Sequence, residues 1–83
     1  MSKVLIIEDE RSIAELEKDY LELSEFSVDI ETDGAAGLKK ALEGDYDIFI
    51  LDLMLPGADG VSLCRELRAH SDVPVIMVTA RVD

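Results

Sequence analysis

The chain has 83 residues, 48% of them hydrophobic, with 19 acidic and 8 basic side chains and a formal net charge of −11. That length allows one small domain, and so acidic a chain offers no basic patch to neutralise nucleic-acid phosphates. No apolar run reaches the length of a membrane span, and a short apolar stretch after Lys3 that ends in two acids is no signal peptide. The single cysteine, Cys64, cannot form an internal disulfide and points to a reducing cytosol.

Val4 to Ile7 is a continuous apolar run, the pattern of a central strand covered on both faces. From Glu10 to about Glu25 the apolar residues fall at Ile13, Leu16, Tyr20 and Leu23, with Ala14 and Leu21 beside them. That 3.6-residue period, with acids opposite, predicts an amphipathic helix. Its acids Glu15, Glu17, Asp19, Glu22 and Glu25 read as a solvated face, with a docking surface for a basic partner as the alternative. Phe26 to Thr32 alternates through Phe26, Val28 and Ile30, which fits a shorter strand at a sheet edge. Asp33 and Gly34 supply cap chemistry for a helix from Ala35 to about Leu42, which Gly44 ends.

Ile48 to Leu51 is the second central strand, and Pro56 and Gly57 mark residues 53–60 as a loop. A third helix runs from Val61 to about His70 with Leu63, Cys64 and Leu67 inward. Cys64 reads as a small core hydrophobe and His70 as a group that offsets the helix dipole. Residues 71–74 lead into a last strand, Val75 to Val78. Strand and helix alternate throughout, so the fold class is α/β with a doubly wound parallel sheet. Right-handed crossovers then favour the strand order 2-1-3-4.

In such a sheet ligands bind outside the carboxyl ends of the strands. Glu8 and Asp9 follow the first strand, Asp52 the third and Thr79 the fourth. Three carboxylates brought together repel one another. A hard divalent cation relieves that repulsion, and an all-oxygen donor set suits Mg²⁺ better than zinc. A carboxylate can also act as a nucleophile toward phosphorus, with the cation offsetting charge on the transferring group. Singly, Asp9 and Asp52 are equally read as caps of the turns that follow them. Together with Glu8 and Thr79 they read as a site for a divalent cation and a phosphoryl group. Glu10 caps or begins the helix, and Thr79 alone could bond backbone at a strand end.

The segments Ile7-Glu8-Asp9-Glu10, Leu51-Asp52-Leu53-Met54-Leu55-Pro56-Gly57, Asp59-Gly60 and Val78-Thr79-Ala80-Arg81 stand in an order and spacing that resembles the receiver domain of two-component response regulators. The Glu-Asp-Glu and Thr-Ala-Arg wording is most similar to the OmpR/PhoB branch. The resemblance implies a flavodoxin-like (CheY-like) fold and a cytoplasmic signalling phosphoacceptor rather than an enzyme acting on an outside substrate. It implies that Asp52 takes a phosphoryl group from a sensor histidine kinase. It makes Asp9 a direct Mg²⁺ ligand, Glu8 a ligand directly or through water, and the Met54 backbone carbonyl a third contributor beside Asp52. It makes Thr79 the switch hydroxyl, and places Met54 and Arg81 where dephosphorylation rate is tuned.

Receivers of this kind have five β/α units, and the chain supplies three units and a fourth strand. The fourth helix, the fifth strand and the fifth helix have no counterpart, and no lysine matches the one that follows the fifth strand. The expectation is therefore the N-terminal part of a receiver, residues 1–83, with no effector domain and an impaired switch. The apolar faces of Val4 to Ile7 and Ile48 to Leu51 are expected to lie partly open, and the Val75 to Val78 edge to be unprotected. Such surfaces predict self-association as a homodimer, edge to edge or face to face. Three other readings stand beside this one. A folding or assembly fragment without a signalling role is compatible with the same ancestry. A haloacid-dehalogenase-like phosphatase needs a second Asp where Met54 stands. A nucleotide-binding Rossmann unit needs a glycine-rich turn where Glu8-Asp9-Glu10 would repel a pyrophosphate.

Overall fold

The computed structural model describes residues 2–52 and 60–78. Along them run β1 (Lys3–Ile7), α1 (Arg11–Leu23), β2 (Ser27–Glu31), α2 (Gly34–Glu43), β3 (Ile48–Asp52), α3 (Gly60–His70) and β4 (Val75–Val78). Among the described residues the strands form one parallel sheet in the order β2-β1-β3-β4. Both the α/β class and the strand order agree with the alternation of the sequence. The expected loop at 53–60 lies outside the described residues up to position 59, and Gly60 already belongs to α3.

Successive strand residues face opposite sides of a sheet, so one apolar run builds two cores. On one side Leu5, Ile7, Phe49 and Leu51 pack with Ala41 of α2, Leu63 and Leu67 of α3, and Tyr46. On the other, Val4, Ile6 and Val28 pack with Ala14 of α1, and Leu21, Phe26, Ile30, Ile48 and Ile50 lie against them half-buried. The expectation of a partly open β1 is corrected here, because none of Val4, Leu5, Ile6 and Ile7 is more than 1% exposed. α1 covers one face of β1 and α2 the other. The opening is confined to the β3–β4 side: Ile48 and Ile50 are half-buried, and Ile76 and Met77 are exposed.

α1 departs most from its sequence pattern. Its predicted apolar stripe lies largely in solvent, with Leu16 70%, Tyr20 75% and Leu23 85% exposed. The face that meets the sheet runs instead through Ala14 and Leu21. α1 packs mainly over β2 and β1, which leaves Tyr20 at an open groove beside Ile50 of β3. The helix also stops two residues short of Glu25. The Phe26 N–H donates to the Leu21 carbonyl at 3.2 Å and the Glu25 N–H to the Glu22 carbonyl at 3.0 Å. These are the two bonds of a Schellman stop, and they place Glu25 in the left-handed region at φ 68°.

α2 begins as its sequence predicts. Asp33 is the N-cap, and its carboxylate accepts the Ala36 N–H at 2.8 Å. Gly44 ends the helix, but at φ −98° it is not a left-handed cap. Space is what requires glycine there, since a Cβ would stand 2.5 Å from Cε2 of Tyr46. In α3, Leu63 and Leu67 are buried, and Cys64 packs half-buried against the same core. His70 lies in the last turn, 3.9 Å from Glu66. Among the described residues no helix is long and apolar enough to cross a membrane.

Candidate functional site

The register of the sheet builds the acidic end. Ile7 of β1 pairs with Leu51 of β3, so Glu8 and Asp52, each one residue further on, stand level on adjacent central strands. Asp52 pairs in turn with Val78 of β4. Glu8 prolongs the ladder by donating its N–H to the Glu31 carbonyl at 3.0 Å. Backbone geometry thus brings Glu8, Asp9 and Asp52 to one edge of the molecule, as the strand order predicts. The side chain of Asp52 is not among the described groups, and Thr79, Met54 and Arg81 lie outside the described residues.

Glu8 and Asp9 are neighbours with different surroundings. Glu8 is 2% exposed, a rare position for a carboxylate unless it is paired or bonded. One of its oxygens accepts the Glu10 N–H at 3.2 Å, a contact that turns the chain toward α1. Asp9 is exposed. Glu10 is the N-cap of α1 by backbone position and makes no side-chain cap bond. One carboxylate is therefore held by the protein and the next is open to a ligand.

Among the described residues no group of three or more His, Cys, Asp or Glu side chains is arranged to hold a metal ion. Of the residues expected at the site, Glu8 and Asp9 have described side chains, and these carry hard carboxylate oxygens. Their chemistry fits Mg²⁺, which uses one or two carboxylates and keeps much of its water. It does not fit a zinc site of His or Cys.

The amino ends of the same strands are built differently. There the Lys3 N–H donates to Asp47 Oδ2 at 2.7 Å, and the Tyr46 hydroxyl reaches inward to donate to Asp29 Oδ2, in the middle of β2, at 2.7 Å. The Lys3 ammonium lies 4.8 Å from the Tyr46 ring centroid, and that ring tilts against Phe49 at 6.1 Å. Burial, then the bond to Asp29 and the negative charges of Asp29 and Glu31, push the Tyr46 hydroxyl well above its ordinary pKa. Sequence reading passed over this cluster. Its signal is a tyrosine and an aspartate placed just before an apolar strand, where a buried ring needs a partner for its hydroxyl.

The chain matches the model of the response regulator receiver domain over residues 4–83. It is 46% identical over 83 residues to the response regulator ArlR of Staphylococcus saprophyticus, covering 100% of this chain and 38% of that protein. The chain thus spans little more than a third of that curated relative. Among solved structures, the response regulator TrrA of Thermotoga maritima in complex with Mg(2+)-BeF gives a TM-score of 0.92 at 34% identity, over 98% of this chain and 71% of that one. TrrA in complex with the histidine kinase ThkA, also from Thermotoga maritima, gives a TM-score of 0.92 at 34% identity, over 100% and 72%.

Proposed function

The chain belongs to the response regulator receiver family, and from that membership we propose that Asp52 accepts a phosphoryl group from a sensor histidine kinase at the acidic end of the sheet. The observation that carries this reading is the register that sets Glu8 and Asp52 level on adjacent central strands, with Asp9 next along the chain. A carboxylate oxygen of Asp52 attacks the phosphorus; an O–P bond forms as the P–N bond to the kinase histidine breaks, and the imidazole leaves with the electron pair. Glu8, Asp9, Asp52 and the Met54 carbonyl would hold Mg²⁺. Bound there, the ion would offset charge on the transferring phosphoryl oxygens. Thr79 would follow the phosphoryl group as a hydroxyl donor. TrrA, solved both with Mg(2+)-BeF and with a histidine kinase, supports both the ion and the partner.

In this reading residues 1–83 supply the N-terminal βαβαβαβ part of a cytoplasmic receiver, a phosphoacceptor rather than a turnover enzyme, in a transcription regulator of OmpR/PhoB type. Exposed Ile76 and Met77 on β4 support homodimer formation through that edge. Light scattering across a concentration series tests it: a mass that doubles supports the dimer, and a constant monomer mass contradicts it. The phosphoacceptor itself is tested with acetyl phosphate and Mg²⁺. Intact-mass analysis should show the addition of one phosphoryl group, and Asp52→Asn should abolish it. Addition that persists in Asp52→Asn contradicts the assignment.

A further inference from the structure

A glycine inside a helix is less favourable than alanine by about 1 kcal/mol. Gly37 stands in the fourth position of α2, buried, where nothing about turning the chain requires it. The reason is contact with β1: a Cβ on Gly37 would lie 2.9 Å from each of Cγ1, Cγ2 and Cδ1 of Ile7. We infer that Gly37 is a positioning residue for the acidic end, its bare backbone seating Ile7 and so fixing where Glu8 and Asp9 stand. The functional half of this inference rests on the reading of Glu8 and Asp9 as cation ligands.

Neither partner in this contact can yield alone. Ile7 is fully buried and β-branched, so its side chain has little rotamer freedom. Its backbone is held on both sides, by Glu31 of β2 and Leu51 of β3. Glu8 follows directly and is tied to the Glu31 carbonyl. On the helix side, the Gly37 N–H donates to the Asp33 carbonyl at 2.8 Å, and the Asp33 carboxylate accepts the Ala36 N–H. Ala41, one turn later, is buried in the same core as Ile7. A methyl group at position 37 must therefore push the start of α2 and the carboxyl end of β1 apart. Metal affinity depends on how the surroundings orient the ligands: loss of an outer hydrogen-bond partner weakens binding about 10- to 100-fold, and displacing the backbone behind Glu8 and Asp9 should act in the same direction.

The same helix supplies its own control. Gly44 also has no room for a Cβ, but the obstacle there is Tyr46, at the amino end of the sheet. Gly37→Ala and Gly44→Ala thus introduce the same methyl group at opposite ends of one element. Assigned amide NMR spectra of both variants, recorded without metal, separate the two effects. Outside α2 and its cap, Gly37→Ala should give its largest shift changes at Ile7, Glu8 and Asp9, whereas Gly44→Ala should change Lys3, Tyr46 and Asp47 and leave Glu8 and Asp9 in place. Mg²⁺ titration by calorimetry should show affinity falling about 10-fold in Gly37→Ala, comparable to the low end for a disturbed outer shell, and unchanged in Gly44→Ala. Ile7→Val intrudes on nothing and removes only Cδ1; it should move the same amides as Gly37→Ala to a lesser extent, even should that variant not fold. Glu8 and Asp9 amides that keep their wild-type positions in Gly37→Ala or Ile7→Val overturn the inference. So do amides that move equally in Gly44→Ala. A wild-type chain that does not bind Mg²⁺ sinks the ligand reading, while the metal-free spectra still decide the role of Gly37.

Discussion

Toward the amino ends of the strands Lys3, Asp29, Tyr46 and Asp47 bind one another: Asp29 and Asp47 each accept a hydrogen bond at 2.7 Å, and an ammonium covers the tyrosine ring. At the carboxyl ends the same sheet brings Glu8 and Asp52 level and leaves Asp9 exposed beside them. The first arrangement is complete in the folded chain. The second brings acidic residues to neighbouring strand ends, and carboxylates drawn together repel one another unless a cation joins them. A stable fold alone would favour the first arrangement at both ends, so the difference supports the proposed site at the carboxyl end and gives the amino-end cluster a stabilising role.

Four perturbations sharpen or break that contrast. The largest stability loss is expected from Gly44→Ala, which sets a methyl group against the Tyr46 ring; overpacking of this kind costs about 1–3 kcal/mol, measured by urea unfolding. Tyr46→Phe removes the bond to Asp29 and should cost about 1.5 kcal/mol, as for a hydrogen bond to a charged acceptor. The same residue predicts a pH dependence. Burial and Asp29 raise its pKa above the ordinary 10.0, so the folded chain keeps a proton that the unfolded chain has released. Stability from this group is complete below about pH 10 and falls as pH rises above it. Tyr46→Phe should flatten that alkaline loss, and an unchanged pH profile would contradict the account of the cluster.

Glu25→Gly relieves the left-handed residue at the end of α1 and should stabilise by about 1 kcal/mol, seen as a raised urea midpoint. The smallest effect on the metal-free fold is expected at the other end. Asp9→Asn, at an exposed position, should change stability by no more than about 0.5 kcal/mol. Mg²⁺ binding to the folded state should raise the melting temperature of the wild type, and Asp9→Asn should abolish that rise. A melting temperature that still rises with Mg²⁺ in Asp9→Asn would remove Asp9 from the site.

The contrast between the ends also explains what could be read in advance. The carboxyl end was legible because its residues are polar groups placed at the ends of apolar runs: Val4 to Ile7 before Glu8, and Ile48 to Leu51 before Asp52. Those runs fix the strands, and the strands with right-handed crossovers fix the order. The amino end was not legible, because Tyr46 and Asp29 are 17 residues apart and Lys3 and Asp47 are 44 apart. Only the closed sheet brings them together. α1 shows another limit. A periodic stripe says that a helix is amphipathic but not which of its faces meets the sheet, and Ala14 with Leu21 won over Leu16, Tyr20 and Leu23. Gly37 was hidden for a third reason: a glycine's sequence neighbours do not reveal that Ile7 lies against it.

The central claim is that the carboxyl end of the sheet, and not the amino end, receives the cation. The most direct test is a Mg²⁺ titration of the wild-type chain followed by assigned amide shifts. Saturable changes concentrated at Glu8, Asp9 and Asp52, with Lys3, Asp29 and Tyr46 unmoved, are the predicted result. Changes that do not saturate, or that fall on the amino end, would contradict it.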